Sequence, residues 1–167
     1  MWRRPIHKQE APMTGDRSSA TDRTRIIEAA KAWLGTPYRH QASLCGVGAD
    51  CLGLVRGVWR DVIGPEPEQP GAYSADWAEA TGEERLLQAA LRHMTRLPRD
   101  AARPGDMLLF RIVERGPAKH AAILVDGFVN GGTILHAYSG HDVCETRLTA
   151  GWQRRLAGAF QFPKPLV

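Results

Sequence analysis

The chain has no Cys-x-x-Cys pair and no His-Glu-x-x-His run, so the spacings that announce a zinc site are missing. Its three cysteines, Cys45, Cys51 and Cys144, are odd in number and sparse, which argues against a disulfide framework. No apolar run approaches the roughly 18 residues that a membrane span needs. The opening stretch, MWRRPIHKQEAPMTGDRSSATD, has basic residues with no apolar segment behind them. That pattern is not a secretory signal peptide, so synthesis in the cytoplasm and exit by another route are expected. GVGAD (Gly46–Asp50) looks like a phosphate-cradling loop but lacks the Lys-Ser/Thr pair, and cysteine stands where a dinucleotide fingerprint needs glycine. Basic–aromatic alternation is missing too, so no nucleic-acid partner is expected. A net charge of +4 suits an anionic partner such as cell wall or nucleic acid, although spread over a domain it carries little weight.

What remains is a chain of 167 residues, long enough for one domain with a sizeable core. Residues 1–20 read as a flexible arm and 21–167 as a single domain. A first helix is expected from about Asp22 to Leu34, with Ile26, Ile27, Ala30 and Leu34 on one face and Gly35 ending it. A second starts near Cys51, placing Cys51, Val55, Val58 and Val62 on one face, and stops at Gly64-Pro65. The proline-rich GPEPEQPG then reads as an extended connector. A third helix is expected over about Glu83–Met94, with Thr81 and Glu84 as a capping box.

The texture then changes to strands: DMLLFRIV (Asp106–Val113), HAAILV (His120–Val125), TILHAY (Thr133–Tyr138), VCETRL and AGAFQF. Turn signals separate them, including RPGD ahead of the first strand and NGG at Asn130–Gly132. Helices first and hairpin-linked strands after argue for an α+β domain with an antiparallel sheet. Trp33, Trp59, Trp77 and Trp152 are expected in the core or in a groove wall.

Cys51 stands where a glycine-rich loop becomes a helix. A helix N-terminus offers unpaired N–H groups and partial positive charge, which would make a thiol there more acidic. Spacing alone leaves two readings open, a buried small residue or a nucleophile. Cys45 and Cys144 have no helix start behind them. A cysteine nucleophile needs a base and an orienting partner for that base. Of six histidines, His7 lies in the arm, His93 in a polar helix, and His40 and His141 in loops. His120 opens one strand and His136 lies inside another, so the two can meet across a sheet. Each can equally be a strand histidine bonded to a backbone carbonyl.

In order, GTPYRH…GADCLGLV, RPGDMLLF, KHAAILV and ILHAYSG resemble the NlpC-type cell-wall cysteine peptidases, compact relatives of papain. The resemblance covers about Arg25–Phe162. It implies a papain-like α+β fold, N-terminal helices packed on a C-terminal antiparallel sheet. It also implies Cys51 as nucleophile, His120 as general base and His136 as the residue that orients the base. Tyr38 and Asp50 match substrate-contacting positions, and neither metal nor organic cofactor is implied. The implied activity is hydrolysis of amide bonds in peptidoglycan stem peptides, often between D-glutamate and a diamino acid.

Two positions depart from the family pattern. The usual Asp-Cys-Ser-Gly is Asp50-Cys51-Leu52-Gly53, and the usual glycine pair after YR is His40-Gln41. The DCLGLVRG variant resembles enzymes encoded with phage tails and gene transfer particles. That implies a tail-borne enzyme acting on the cell wall, with tail or baseplate proteins as partners and the arm as a docking segment. Two alternatives use the same residues: a structural tail protein that keeps the fold without turnover, and an acyltransferase or amidase.

Overall fold

Helix α1 (Asp16–Lys31) opens the fold in the computed structural model, which describes residues 16–73, 82–128 and 131–166. It starts ahead of the expected Asp22 and stops before the expected Leu34. Residues 1–15, most of the expected arm, lie outside the described residues, as do Trp77 and Thr81. After Lys31 the backbone tightens, with the Trp33 N–H donating to Ala30 O at 3.0 Å and the Thr36 N–H to Trp33 O at 3.0 Å. This turn swings Trp33 into the core and leaves Leu34 exposed, the reverse of what helical spacing predicts for Leu34. Gly35 closes the turn at φ 79, a left-handed conformation that glycine adopts without a Cβ clash.

A short hairpin, β1 (Ser43–Leu44) and β2 (Gly48–Ala49), leads into α2 (Cys51–Val62), which begins where the sequence places it. Leu54, Val55, Val58 and Val62 are buried along it. Gly57 lets α1 and α2 approach closely, because a Cβ there would lie 1.9 Å from the Trp33 ring. The proline-rich connector has no regular structure. It is tied to α2 by Glu66, which pairs with Arg56 Nε at 2.7 Å and Arg60 Nη1 at 2.5 Å, and by the Trp59 indole N–H donating to Pro65 O.

Helix α3 (Arg85–His93) starts at Glu84, which makes no side-chain cap bond. The Glu84 carboxylate reaches instead to the sheet, accepting the Ala118 N–H at 2.9 Å and pairing with Arg111. The expected capping box is therefore not what Glu84 does here.

The remaining strands are β3 (Thr95–Leu97), β4 (Met107–Arg111), β5 (Ala118–Leu124), β6 (Thr133–Tyr138), β7 (His141–Arg147) and β8 (Leu156–Gln161). They form one antiparallel six-stranded sheet in the order β3-β8-β4-β5-β6-β7. Alternate side chains feed two cores. Met107, Leu109, Ala121, Ile123 and Leu135 pack with the helices, and Leu108, Phe110, Ala122, Leu124 and Ile134 form a second core. Burial on both faces explains why DMLLF is a continuous apolar run and not an alternating one. A short helix, α4 (Ala150–Arg154), precedes β8 and carries Trp152. The fold is the expected α+β architecture of N-terminal helices on an antiparallel sheet. Among the described residues no helix is long and apolar enough to cross a membrane.

Candidate active site

Asp50 starts α2. Its backbone is extended, and its Oδ1 accepts the Gly53 N–H at 2.8 Å, satisfying one of the donors a helix start leaves unpaired. Cys51 is therefore the first residue of the helix. Its sulfur lies 3.9 Å from Lys119 O and also faces the Ala121 N–H. Lys119 and Ala121 flank His120, so the thiol is seated against β5 on both sides of that histidine. This is possible because β5 and β6 pair only at Ile123–Leu135 and Leu124–Ile134, leaving the backbone nearer His120 unpaired on that side.

His120 and His136 meet across that opening. His120 Nε2 and His136 Nδ1 lie 2.9 Å apart, and both residues are buried. Strand β5 begins at Ala118, so His120 lies inside the strand and does not open it. The cause is the Arg111–Ala118 pairing, which extends the ladder past a bulge at Lys119 of β5. Among the described residues no hydrogen bond joins the sulfur to either imidazole. A catalytic contact of this kind is often long or misaligned before substrate binds.

Burial and the neighbouring Asp50 carboxylate push the Cys51 thiol up to about 11. The sequence argument from the helix start predicts the opposite direction. The backbone N–H groups do pull the thiol down, but desolvation and a like charge next door outweigh them. Burial lowers His120 to about 3, helped by His136, and lowers His136 to about 4, helped by His141. The resting site is thus a neutral thiol beside neutral imidazoles.

A stability prediction follows. A histidine whose folded pKa is depressed contributes stability that is present above its unfolded value of 6.5 and lost as pH falls towards its folded value. Near pH 5 the fall should reach about 2 kcal/mol for each of the two histidines. Urea midpoints measured from neutral pH to pH 5 check this. His136→Gln should roughly halve the slope, and an unchanged slope would show that the imidazoles titrate normally.

Tyr38 sits beside the loop ahead of Cys51, bridged to Ala49, and its hydroxyl is pushed up by burial and by the nearby Asp50 and Cys51 charges. Asp50 itself is 3% exposed. Its Oδ2 accepts from the Gln41 N–H and the Tyr73 hydroxyl, both at 2.7 Å. Tyr73, at the end of the connector, was not anticipated from sequence. Its carbonyl accepts from the Gln41 side chain and sits 2.8 Å from His40 Nε2. The His40-Gln41 departure now has a physical form. Gln41 keeps φ 64, the conformation a glycine would take freely, and is held there by Asp50 and Tyr73. Leu52, in place of the usual serine, packs against the main core.

Trp152 and Thr146 complete the site. The Thr149 hydroxyl caps α4, which carries Trp152. The indole stacks on His120 at 5.3 Å between centroids and meets His136 edge-on at 5.5 Å, walling one side of the pair. Trp33 and Trp59 are core residues, as expected. Thr146 Oγ1 lies 2.9 Å from His136 Nε2. In the β6–β7 register His136 faces Cys144 and Ile134 faces Thr146, so Thr146 is a diagonal neighbour of His136 on the same face. The hairpin register was the only signal in the sequence that could have singled it out.

Residues 35–161 match the model of the NlpC/P60 family. The chain is 29% identical to murein DD-endopeptidase MepH of Escherichia coli (strain K12) over 138 residues, 79% of this chain and 43% of MepH. It resembles the structure of an NlpC/P60 family protein from Bacillus cereus ATCC 10987, with TM-score 0.60 and 20% identity over 84% of this chain and 40% of that one. It also resembles the NlpC/p60 domain of the peptidoglycan hydrolase SagA, with TM-score 0.55 and 23% identity over 84% of this chain and 98% of that domain. The chain spans less than half the length of MepH and of the Bacillus cereus protein.

Proposed function

This chain belongs to the NlpC/P60 family, and from that membership and its buried histidine pair we propose a cysteine endopeptidase that hydrolyses amide bonds in peptidoglycan stem peptides. The observation that carries the reading is the 2.9 Å contact of His120 with His136 beside a sulfur seated on the backbone around His120. Membership points to the cell wall, and the similarity to a murein endopeptidase and a peptidoglycan hydrolase supports that substrate class.

In this reading the Cys51 proton passes to His120 Nδ1 as the sulfur attacks the scissile carbonyl carbon. The Cys51 backbone N–H, at the helix start, holds the developing oxyanion. His120 then gives its proton to the leaving amine, and water releases the acyl group from sulfur. A neutral resting pair suits this sequence, because His120 has an unshared electron pair available for the thiol proton. His136 orients His120. Tyr38 lines the substrate side, and Asp50 serves the substrate through what it fixes: the α2 start, Gln41 and Tyr73.

The test is the purified protein on stem peptides of differing diamino acid, read by mass spectrometry. Hydrolysis adds one water and yields a free amine and a free carboxylate. A transfer product on adding an amine acceptor would convert the assignment to an acyltransferase. No cleavage of any wall type by protein with its thiol intact would leave the fold without this activity.

We also place the enzyme on a phage-like tail, where the residues ahead of α1 dock to tail or baseplate proteins. The DCLGLVRG variant supports this. Mass spectrometry of purified particles should contain the chain, and particles without it would overturn the placement.

A further inference from the structure

The buried pair of imidazoles does not end at His136. Its Nε2 points to the Thr146 hydroxyl at 2.9 Å, on the next strand. The three groups form a line: His120 Nε2 to His136 Nδ1, then His136 Nε2 to Thr146 Oγ1. A neutral imidazole has one N–H and one lone pair, so choosing the tautomer of one ring fixes the tautomer of the other.

Only two arrangements satisfy both contacts. In the first, each ring carries its proton on Nε2. His120 donates to His136 Nδ1, His136 donates to Thr146, and His120 Nδ1 keeps a lone pair. In the second, Thr146 donates to His136 Nε2, His136 donates from Nδ1 to His120 Nε2, and His120 carries its proton on Nδ1. A thiol facing that N–H has no base to receive its proton.

We infer that Thr146 is a positioning residue that accepts from His136 Nε2–H and thereby holds His120 in the tautomer with a basic Nδ1. The inference rests on the reading of Cys51 as nucleophile and His120 as base. Two observations favour the accepting role. His136 is fully buried, so a proton on Nε2 must find a partner, and Thr146 is the group in position. Thr146 is only partly buried, so its own hydroxyl proton can turn outward to water. The same line still serves after proton transfer. His120 then carries protons on both nitrogens, and its Nε2–H keeps donating to His136.

Thr146→Val keeps the branched shape on the strand and removes the acceptor. A buried Nε2–H would then face a methyl group, so His136 should shift its proton to Nδ1 and push His120 into the wrong tautomer. Turnover should fall about 100-fold with KM little changed, as expected when a base is held in the wrong form. Thr146→Ser restores the hydroxyl and should stay within about threefold of the parent protein.

Nitrogen-15 NMR of the imidazoles in the full chain at neutral pH decides the matter independently of activity. Protonated Nε2 on both histidines in the parent protein, moving to Nδ1 on His136 in Thr146→Val, supports the inference. Protonated Nδ1 on His136 in the parent protein overturns it. So does a Thr146→Val protein that keeps the parent tautomers. If the valine variant does not fold, the parent spectrum alone still decides. A parent protein with the expected tautomers but no hydrolysis would count against the peptidase reading, not against the proton arrangement.

Discussion

Replacing Cys51 by alanine is expected to lower stem-peptide hydrolysis by about 10⁴-fold or more, with the fold intact. The two halves of that expectation have separate causes. Loss of the sulfur removes the only group on the first turn of α2 that can form an acyl intermediate, and the remaining backbone donors cannot supply one. Stability should change by less than about 1 kcal/mol, because the thiol's hydrogen bond is a long 3.9 Å contact and alanine is a good helix former. Cys51→Ser should be nearly as inactive, since a hydroxyl is harder to deprotonate with the same imidazole. Activity assays paired with urea unfolding check both halves. A Cys51→Ala protein that still turns over would remove the sulfur from the chemistry.

The raised thiol changes a second expectation about this residue. A helix-start cysteine made acidic would react with iodoacetamide ahead of Cys45 and Cys144. In the folded protein Cys45 is exposed, while Cys51 is partly buried and pushed up to about 11. Cys45 should therefore label first at neutral pH. In the proposed mechanism Cys51 reacts only when substrate is bound and His120 takes its proton.

What the sequence revealed depended on how locally each feature is encoded. The start of α2 was legible because the glycine-rich run ends just ahead of Cys51, and the period of Val55, Val58 and Val62 is a short-range signal. The strands of TILHAY and VCETRL were legible from their strand-like composition and the turn signals around them. The line from His120 to Thr146 was not, because it depends on the register between β6 and β7. A register is set by how two strands slide against each other, and a one-residue slip would send Thr146 to the opposite face. Trp152 was expected in the core or in a groove wall, but its place beside the two histidines was not legible. It sits on a five-residue helix, too short for any periodicity to announce. The direction of the thiol shift was missed because a helix end is visible in sequence, whereas desolvation is a property of everything packed around it.

Gly53, the last residue of the Asp-Cys-Leu-Gly run, carries the other large effect. A Cβ built there would lie 1.8 Å from the carbonyl oxygen of Ala42 and 2.9 Å from its carbon. These are backbone atoms, so no side-chain rotation can relieve the clash. Ala42 also belongs to the loop that the site relies on. The Gln41 N–H beside it binds Asp50 Oδ2, and the Ser43 hydroxyl after it donates to Gly53 O at 2.6 Å. Gly53→Ala must therefore drive the 39–43 loop away from the first turn of α2, loosening Asp50 and with it the seat of Cys51. We expect a loss of about 3 kcal/mol or more in stability, at the upper end for overpacking because the obstacle is backbone. Turnover should fall even in the folded fraction, since Gln41 and Tyr73 lose their common anchor. Gly57→Ala offers the comparison: its Cβ meets Trp33, a side chain that can shift, well away from the Asp50 cap. That variant should lose stability and keep its turnover per folded molecule. Equal turnover per folded molecule in both variants would show that the loop over Gly53 holds the fold and not the reacting groups.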